Sequence, residues 1–180
     1  MIQIIKDDLF RYTGQKYNLK SLIRGMRSQG FRFMFFKRLK DNASKNSILW
    51  LLYKVLTRRY VYKYGFQIGG NIGGGFFIGH FGTIVINENV IIGKNCNIAH
   101  NVTIGVTRRG EKKGVPVIGN RVWIGAGAVI VGAIKIGDNV LIAPNAYVNF
   151  DIPDNSIVIG NPGIIKKSDS ATIGYINNLI

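Results

Sequence analysis

The chain of 180 residues holds two histidines, His80 and His100, and one cysteine, Cys96. An imidazole titrates near neutral pH, so it can take a proton from a hydroxyl or amine as that group attacks an acyl carbon. Which chemistry applies depends on whether the fold brings the two rings together. The cysteine gives no disulfide framework and fits a reducing compartment. It reads as a small core residue rather than a reactive thiol.

The elements that must position these residues are visible as a repeat. Aliphatic residues fall every six positions at Ile86, Ile92, Ile98 and Ile104, and again from Ile118 through Ile124, Ile130, Ile136 and Ile142 to Val148. Ile72 and Ile78 keep the same step. Four residues after most of them comes another small or aliphatic residue, including Val90, Cys96, Val102 and Ala128. A fixed short period over residues 65–165 marks a parallel β-helix. Each hexad supplies a short strand and a corner, and three hexads make one triangular coil. The two repeat positions point inward, and the coils stack roughly 4.8 Å apart. No coil buries its apolar residues alone. The small residue after each aliphatic is expected to let the backbone turn the corner.

The interruptions are informative. Ile78 and Ile86 are eight apart, which places a two-residue bulge near Thr83–Val85. Bulges re-aim side chains beside active sites. The same count sets His80 and His100 on one corner of adjacent coils, about one strand spacing apart. The second interruption, 106–116, is a polar, basic loop predicted to protrude beside the histidines, where a rigid stack can offer it to a ligand. The glycine-dense opening GGNIGGG lacks the following Lys and Ser/Thr of a phosphate loop, so corners explain it better. Residues 166–180 form a polar tail expected to fray or to swap onto a neighbour.

Residues 1–64 lack the hexad and are predicted helical, over 19–40 and 47–64, with Asn18 or Asn46 as caps. The first 63 residues carry 15 Lys/Arg against 3 Asp/Glu, whereas the remainder is nearly neutral. Three readings of this basic segment stand. It packs on the β-helix and on neighbouring subunits, it contacts an anionic membrane surface or lipid-linked glycan, or it binds nucleic acid. No nucleic-acid reading motif accompanies the charge, which sets the last aside. The start lacks the apolar core of a secretory leader, and the apolar run at 48–53 is too short to span a bilayer. The expected location is the cytoplasm, at the inner membrane face under the second reading.

Four segments, FFIGHFGTIVIN, NCNIAHNVTIGVT, GNRVWIGAGAVIVG and VIGNPGIIKK, resemble the hexapeptide-repeat acyltransferases, specifically their serine-acetyltransferase-like branch. The likeness runs from about residue 30 to 167. It implies a left-handed β-helix, a homotrimer with active sites between subunits, and transfer of an acetyl group from acetyl-CoA. It implies His80 as general base, with His100 an auxiliary candidate, and an oxyanion held by a backbone N–H at a glycine-rich corner. By match to the family, Gly105, Ala126 and Ala143 line the CoA arm, Pro162 lies near the adenine, and Lys166 and Lys167 face the phosphates. No metal is implied. The β-helical carbonic anhydrases need three histidines on zinc, and only two exist here.

The departures bear on the acceptor. The family's aspartate just before the catalytic histidine is Gly79, the aspartate orienting the imidazole is Gly65, and the arginine and histidine ending the loop are Gly114 and Val115. An amino-acid acceptor would leave its charges unpaired. A sugar hydroxyl in surface-polysaccharide synthesis is therefore the expected acceptor. Serine O-acetylation and amino-sugar N-acetylation are the alternatives, and a non-catalytic trimeric scaffold is the reading of another class. Trp123 is expected to pack against the inserted loop or a neighbouring subunit.

Overall fold

The computed structural model describes residues 1–180. Four helices come first: α1 (Gln3–Thr13), α2 (Leu19–Met26), α3 (Gln29–Asn42) and α4 (Ile48–Tyr64). Fifteen short strands follow: β1 (Phe66–Ile68), β2 (Asn71–Ile72), β3 (Phe77–Ile78), β4 (Ile84–Ile86), β5 (Ile91–Ile92), β6 (Asn97–Ile98), β7 (Val102–Gly105), β8 (Val117–Ile118), β9 (Val122–Ile124), β10 (Val129–Val131), β11 (Lys135–Ile136), β12 (Val140–Ile142), β13 (Tyr147–Val148), β14 (Ser156–Ile159) and β15 (Ile164–Lys167). They stack as three faces of a prism. The first face is β1-β4-β7-β10-β13, the second β2-β5-β8-β11, and the third β3-β6-β9-β12-β14-β15. All neighbours are parallel except the last pair, β14 (Ser156–Ile159) with β15. This is a left-handed parallel β-helix of the hexapeptide-repeat type, about five coils long.

Both repeat positions face inward, as the periodicity predicts. Ile98, Ile104, Ile118, Ile124, Ile130, Ile136, Ile142 and Val148 are all at most 3% exposed, and so are Val90, Cys96, Val102, Ala128 and Val140. The corners work differently from the sequence expectation. The left-handed residue is the third after the aliphatic: Asn95, Asn101, Arg121, Asn139 and Asn145 all have φ between 52° and 59°. The residue just after the aliphatic is small for another reason. A Cβ on Gly125 would lie 2.5 Å from the Pro144 nitrogen of the next coil. Smallness there allows close stacking, and asparagine, which tolerates the left-handed region, turns the chain.

The helices close the open end of the stack. Strands β2 (Asn71–Ile72) and β3 (Phe77–Ile78) have no strand above them, yet side chains of α1 and α3 satisfy their backbone groups. Asp8 accepts the Phe76 N–H at 3.0 Å. The Tyr12 hydroxyl accepts the Ile78 N–H at 2.7 Å and donates to the Ile78 carbonyl at 3.3 Å. Arg11 donates to the Gly75 carbonyl, and Arg38 to those of Ile72 and Gly73. The Asp8–Arg38 pair is itself buried, at 3.0 Å. Unpaired strand edges are costly inside a fold and adhesive outside it, and these four side chains deal with both problems.

The predicted helix at 19–40 is two helices, because the chain breaks at Arg27–Ser28 before α3. Asn18 caps α2 as predicted, with a reciprocal Ser21 contact, but Ser47 rather than Asn46 caps α4. Helix α1 was not signalled: its first turn holds no acidic residue and Ile2 supplies no side-chain cap. The tail neither frays nor leaves the chain. It straps the corner between the second and third faces, where Asn139 donates to the Asp169 carbonyl, Asn97 to that of Tyr175, and Asn95 to that of Ile180. Trp123 packs on Tyr175 of this strap, with ring centroids 4.8 Å apart, and not on the inserted loop.

Candidate active site

His80 sits on the corner between the third and first faces, directly after β3. Two features hold that strand. Below, Phe77 and Ile78 pair with Asn97 and Ile98 of β6, and the Gly79 N–H donates to the Ile98 carbonyl at 3.1 Å. Above, the Tyr12 hydroxyl grips both polar groups of Ile78. The Tyr12 ring packs on Phe77 at 4.4 Å, and burial pushes its hydroxyl pKa well above the ordinary value, so it stays a neutral donor and acceptor. Helix α3 comes close enough to support this because residue 30 is glycine. A Cβ there would stand 2.6 Å from the Ile78 carbonyl oxygen.

His100 follows β6 (Asn97–Ile98) on the same corner, one coil below. The rings are 6.0 Å apart between centroids and stand edge to face at 88°. His80 is exposed and His100 half-buried. The His100 Nδ1 is buried and makes no hydrogen bond to another protein group. The two extra residues of the first interruption lie in this corner, between Ile78 and β4 (Ile84–Ile86), and not at Thr83–Val85. They lengthen this corner to residues 79–83, an arch that carries His80, Phe81 and Gly82. Gly82 has φ +140°, and a Cβ on it would lie 3.1 Å from that of His100. A glycine is therefore needed both for the arch's backbone and for its contact with the second ring.

Below the histidines the corner is lined with small residues. The Gly127 N–H donates to the His100 carbonyl at 3.1 Å, and the Asn145 N–H to that of Ala126 at 2.9 Å. Ala143 opens the next corner down, and Gly160–Gly163 close the column, with the Gly163 N–H donating to Tyr147 at 3.0 Å. The structure thus gathers His80, His100, Ala126, Ala143 and Pro162 along one edge of the prism. It does not bring Gly105, Lys166 and Lys167 to that edge. Gly105 ends β7 (Val102–Gly105) at the next corner, and the two exposed lysines lie at the far end of β15.

The inserted loop is not beside the histidines of its own chain. It leaves from the corner between the first and second faces and folds down that corner. Thr107 bridges Gly114, the Ala133 N–H donates to the Lys112 carbonyl at 2.8 Å, and Lys112 pairs with Asp151 at 3.0 Å. Hydrogen bonds from the Lys135 N–H and then from the Lys112 side chain hold the Asp151 carboxyl below its usual pKa. Val115 packs against the main core.

The departures at 65 and 79 have distinct causes. Gly65 is the left-handed C-cap of α4, at φ +74°, and its carbonyl receives the Ile84 N–H at 3.0 Å. Gly79 is not sterically required, because a Cβ there would meet only the Phe77 ring edge at 3.7 Å. None of the four ion pairs includes either histidine. Residues that sequence reasoning missed are Tyr12, Gly30 and Gly82. Only the glycines carried a local signal, and Tyr12 acts from 66 residues away.

Comparison with known proteins meets this geometry. Residues 116–149 match the family model described as bacterial transferase hexapeptide (six repeats), and residues 89–107 match the hexapeptide repeat of succinyl-transferase. In these two stretches the chain is similar to the hexapeptide-repeat class of transferases. Within that class its likeness is to the serine-acetyltransferase branch. It is 45% identical over 93 residues to a serine acetyltransferase of Helicobacter pylori, covering 52% of this chain and 54% of that one. It is 42% identical over 106 residues to one of Staphylococcus aureus, covering 59% and 50%. The chain spans about half the length of these curated relatives. Among solved structures, a Brucella abortus serine acetyltransferase in complex with coenzyme A superposes with a TM-score of 0.75 at 26% identity, covering 92% of this chain and 67% of that one. A Neisseria gonorrhoeae serine acetyltransferase in complex with serine gives 0.70 at 26%, covering 91% and 68%. These relatives lend no support to the sugar acceptor expected from the four departures.

Proposed function

We propose that this protein is an acetyl-CoA-dependent O-acetyltransferase with His80 as general base. The observation that carries the reading is the pair of imidazoles held 6.0 Å apart on one corner of a transferase hexapeptide β-helix, above a column of small residues. His80 takes the proton of the acceptor hydroxyl as its oxygen bonds to the thioester carbonyl carbon. The tetrahedral oxyanion is held by backbone N–H groups of the corner. Its collapse breaks the C–S bond, and the CoA thiolate recovers the proton from the imidazolium. The thioester arm runs down the column past Ala126 and Ala143 toward Pro162. Gly105, Lys166 and Lys167 reach the cofactor only from a face next to this edge, which fits a site completed by a second subunit. We therefore include a homotrimer in the proposal. Its place is the cytoplasm, where CoA thioesters are made.

Serine is the acceptor this reading takes first, because the solved relative with serine bound and the curated relatives are serine acetyltransferases. One observation favours a second reading, a neutral polyol such as a sugar. Residues 65, 79, 114 and 115 supply no charge for an amino acid's ammonium and carboxylate. Acceptor-dependent CoA release, measured with L-serine, neutral sugars and amino sugars, separates the two. Serine turnover supports the first reading and sugar turnover the second. Silence with every acceptor leaves only a scaffold and refutes the enzyme. A Cβ added at Gly79 makes only an ordinary contact with Phe77, and Gly79→Asp is expected to lower the KM for serine while leaving that for a neutral sugar unchanged or raised.

A further inference from the structure

Helix α4 is apolar on two opposite faces. Its inner face is spent on the protein: Thr57 and Tyr64 are buried, and Tyr60 stacks between Phe36 and Tyr64 at 5.6 and 5.3 Å. Its outer face is not. Ile48, Leu49, Leu51, Leu52 and Val55 are each at least 50% exposed. At about 100° per residue, Ile48, Leu52 and Val55 fall along one line, flanked by Leu49 and Leu51. Arg58, Arg59, Tyr62 and Lys63 continue that face through the last turns. A helix apolar all round is normally covered on both sides.

The charge on this element indicates what covers it. Residues 42–63 carry five cations, Lys45, Lys54, Arg58, Arg59 and Lys63, and no carboxylate. None of the five belongs to an ion pair. Lys54 and Arg58 lie instead over the Trp50 and Tyr62 rings, at 4.7 and 5.6 Å. A second copy presenting the same face would bring like charges together, and any other face it offered belongs to a chain of net charge +15. A nucleic acid would satisfy the cations but press aliphatic side chains against phosphates. An anionic lipid surface suits both, with headgroups for the cations and the acyl boundary for the aliphatics. No helix is long and apolar enough to cross a membrane, so α4 would lie in the plane of the surface.

We propose that the outer face of α4 docks the protein on an anionic bilayer. The test is co-sedimentation of the full chain with phosphatidylcholine vesicles, with and without phosphatidylglycerol. The expected result is pelleting with the anionic vesicles alone, weakening as salt rises. Arg58→Gln with Arg59→Gln should weaken binding roughly 30-fold, at about 1 kcal/mol per cation. Leu52→Ser with Val55→Ser should weaken it at least tenfold, and Lys20→Gln with Arg24→Gln on α2 should leave it largely intact. Circular dichroism checks that each variant is folded. The proposal fails if the wild type ignores anionic vesicles, or if the α4 variants pellet as well as the wild type. It also fails if duplex DNA strips the wild type from the vesicles at equimolar charge. A change in sedimentation mass for Leu52→Ser with Val55→Ser, without vesicle binding by the wild type, would make the face a subunit contact instead.

Discussion

His80 and Cys96 are sixteen positions apart, and the fold gives them opposite fates. His80 stands exposed on a corner arch, while Cys96 is fully buried on an inward repeat position, its thiol directed at the Gly119 carbonyl at 3.2 Å. Burial pushes the Cys96 pKa up to about 12 from 9.0. Below pH 9 the thiol is protonated in both folded and unfolded states. Above it the unfolded thiol ionises first, the unfolded state binds fewer protons, and stability falls with pH until the folded thiol also ionises. The contribution approaches about 4 kcal/mol at pH 12. Two outcomes follow: Cys96 resists alkylation at pH 8 until the protein is denatured, and Cys96→Ala flattens the alkaline fall in stability measured by urea titration. Rapid labelling of the native thiol would contradict the assignment.

At the scale of the element, the β-helix supplies the site with a fixed corner, and the helices hold the top strand against it. Tyr12→Phe removes the partner of the buried Ile78 N–H and should cost about 1–3 kcal/mol in stability. Because Ile78 lies two residues before His80, the same change should lower acetyl transfer beyond any loss of folded protein. Activity per folded molecule, corrected by circular dichroism, checks this. Gly125→Val should be worse for stability, since even the first added carbon would sit 2.5 Å from the Pro144 nitrogen. A thermal midpoint equal to the wild type would argue against close coil stacking as the reason for the small residue.

At the scale of the whole molecule, the histidine edge and the loop edge are separate corners of one prism, so a single chain does not place its own loop on its own histidines. For the homotrimer proposed above, sedimentation should give three times 20.0 kDa, about 60 kDa. The sequence carried the repeat and the histidine pairing because a six-residue period counts coils directly, and coil number decides which side chains stack. It misplaced the loop for the same reason: the period says where the chain leaves the stack, not which way the insertion folds. The Lys112–Asp151 pair and the Ala133–Lys112 hydrogen bond decide that, and both reach across coils. Tyr12, Arg11 and Arg38 were illegible in the same way. Their partners on the strand edge are main-chain atoms more than thirty residues distant, and a main-chain partner leaves no mark on the sequence. Within the basic segment, Arg11 and Arg38 are consumed in capping the open edge, whereas Lys45, Lys54, Arg58, Arg59 and Lys63, on or beside α4, enter no ion pair.

The central claim is that His80 removes the acceptor's proton. The direct measurement is the rate of CoA thiol release in the presence of the accepted hydroxyl substrate, compared between wild type and His80→Ala at matched folded concentration. The account predicts a fall of roughly 10²–10⁴ in rate for His80→Ala, with the fold and oligomeric mass unchanged. A His80→Ala protein that releases CoA at the wild-type rate would contradict it.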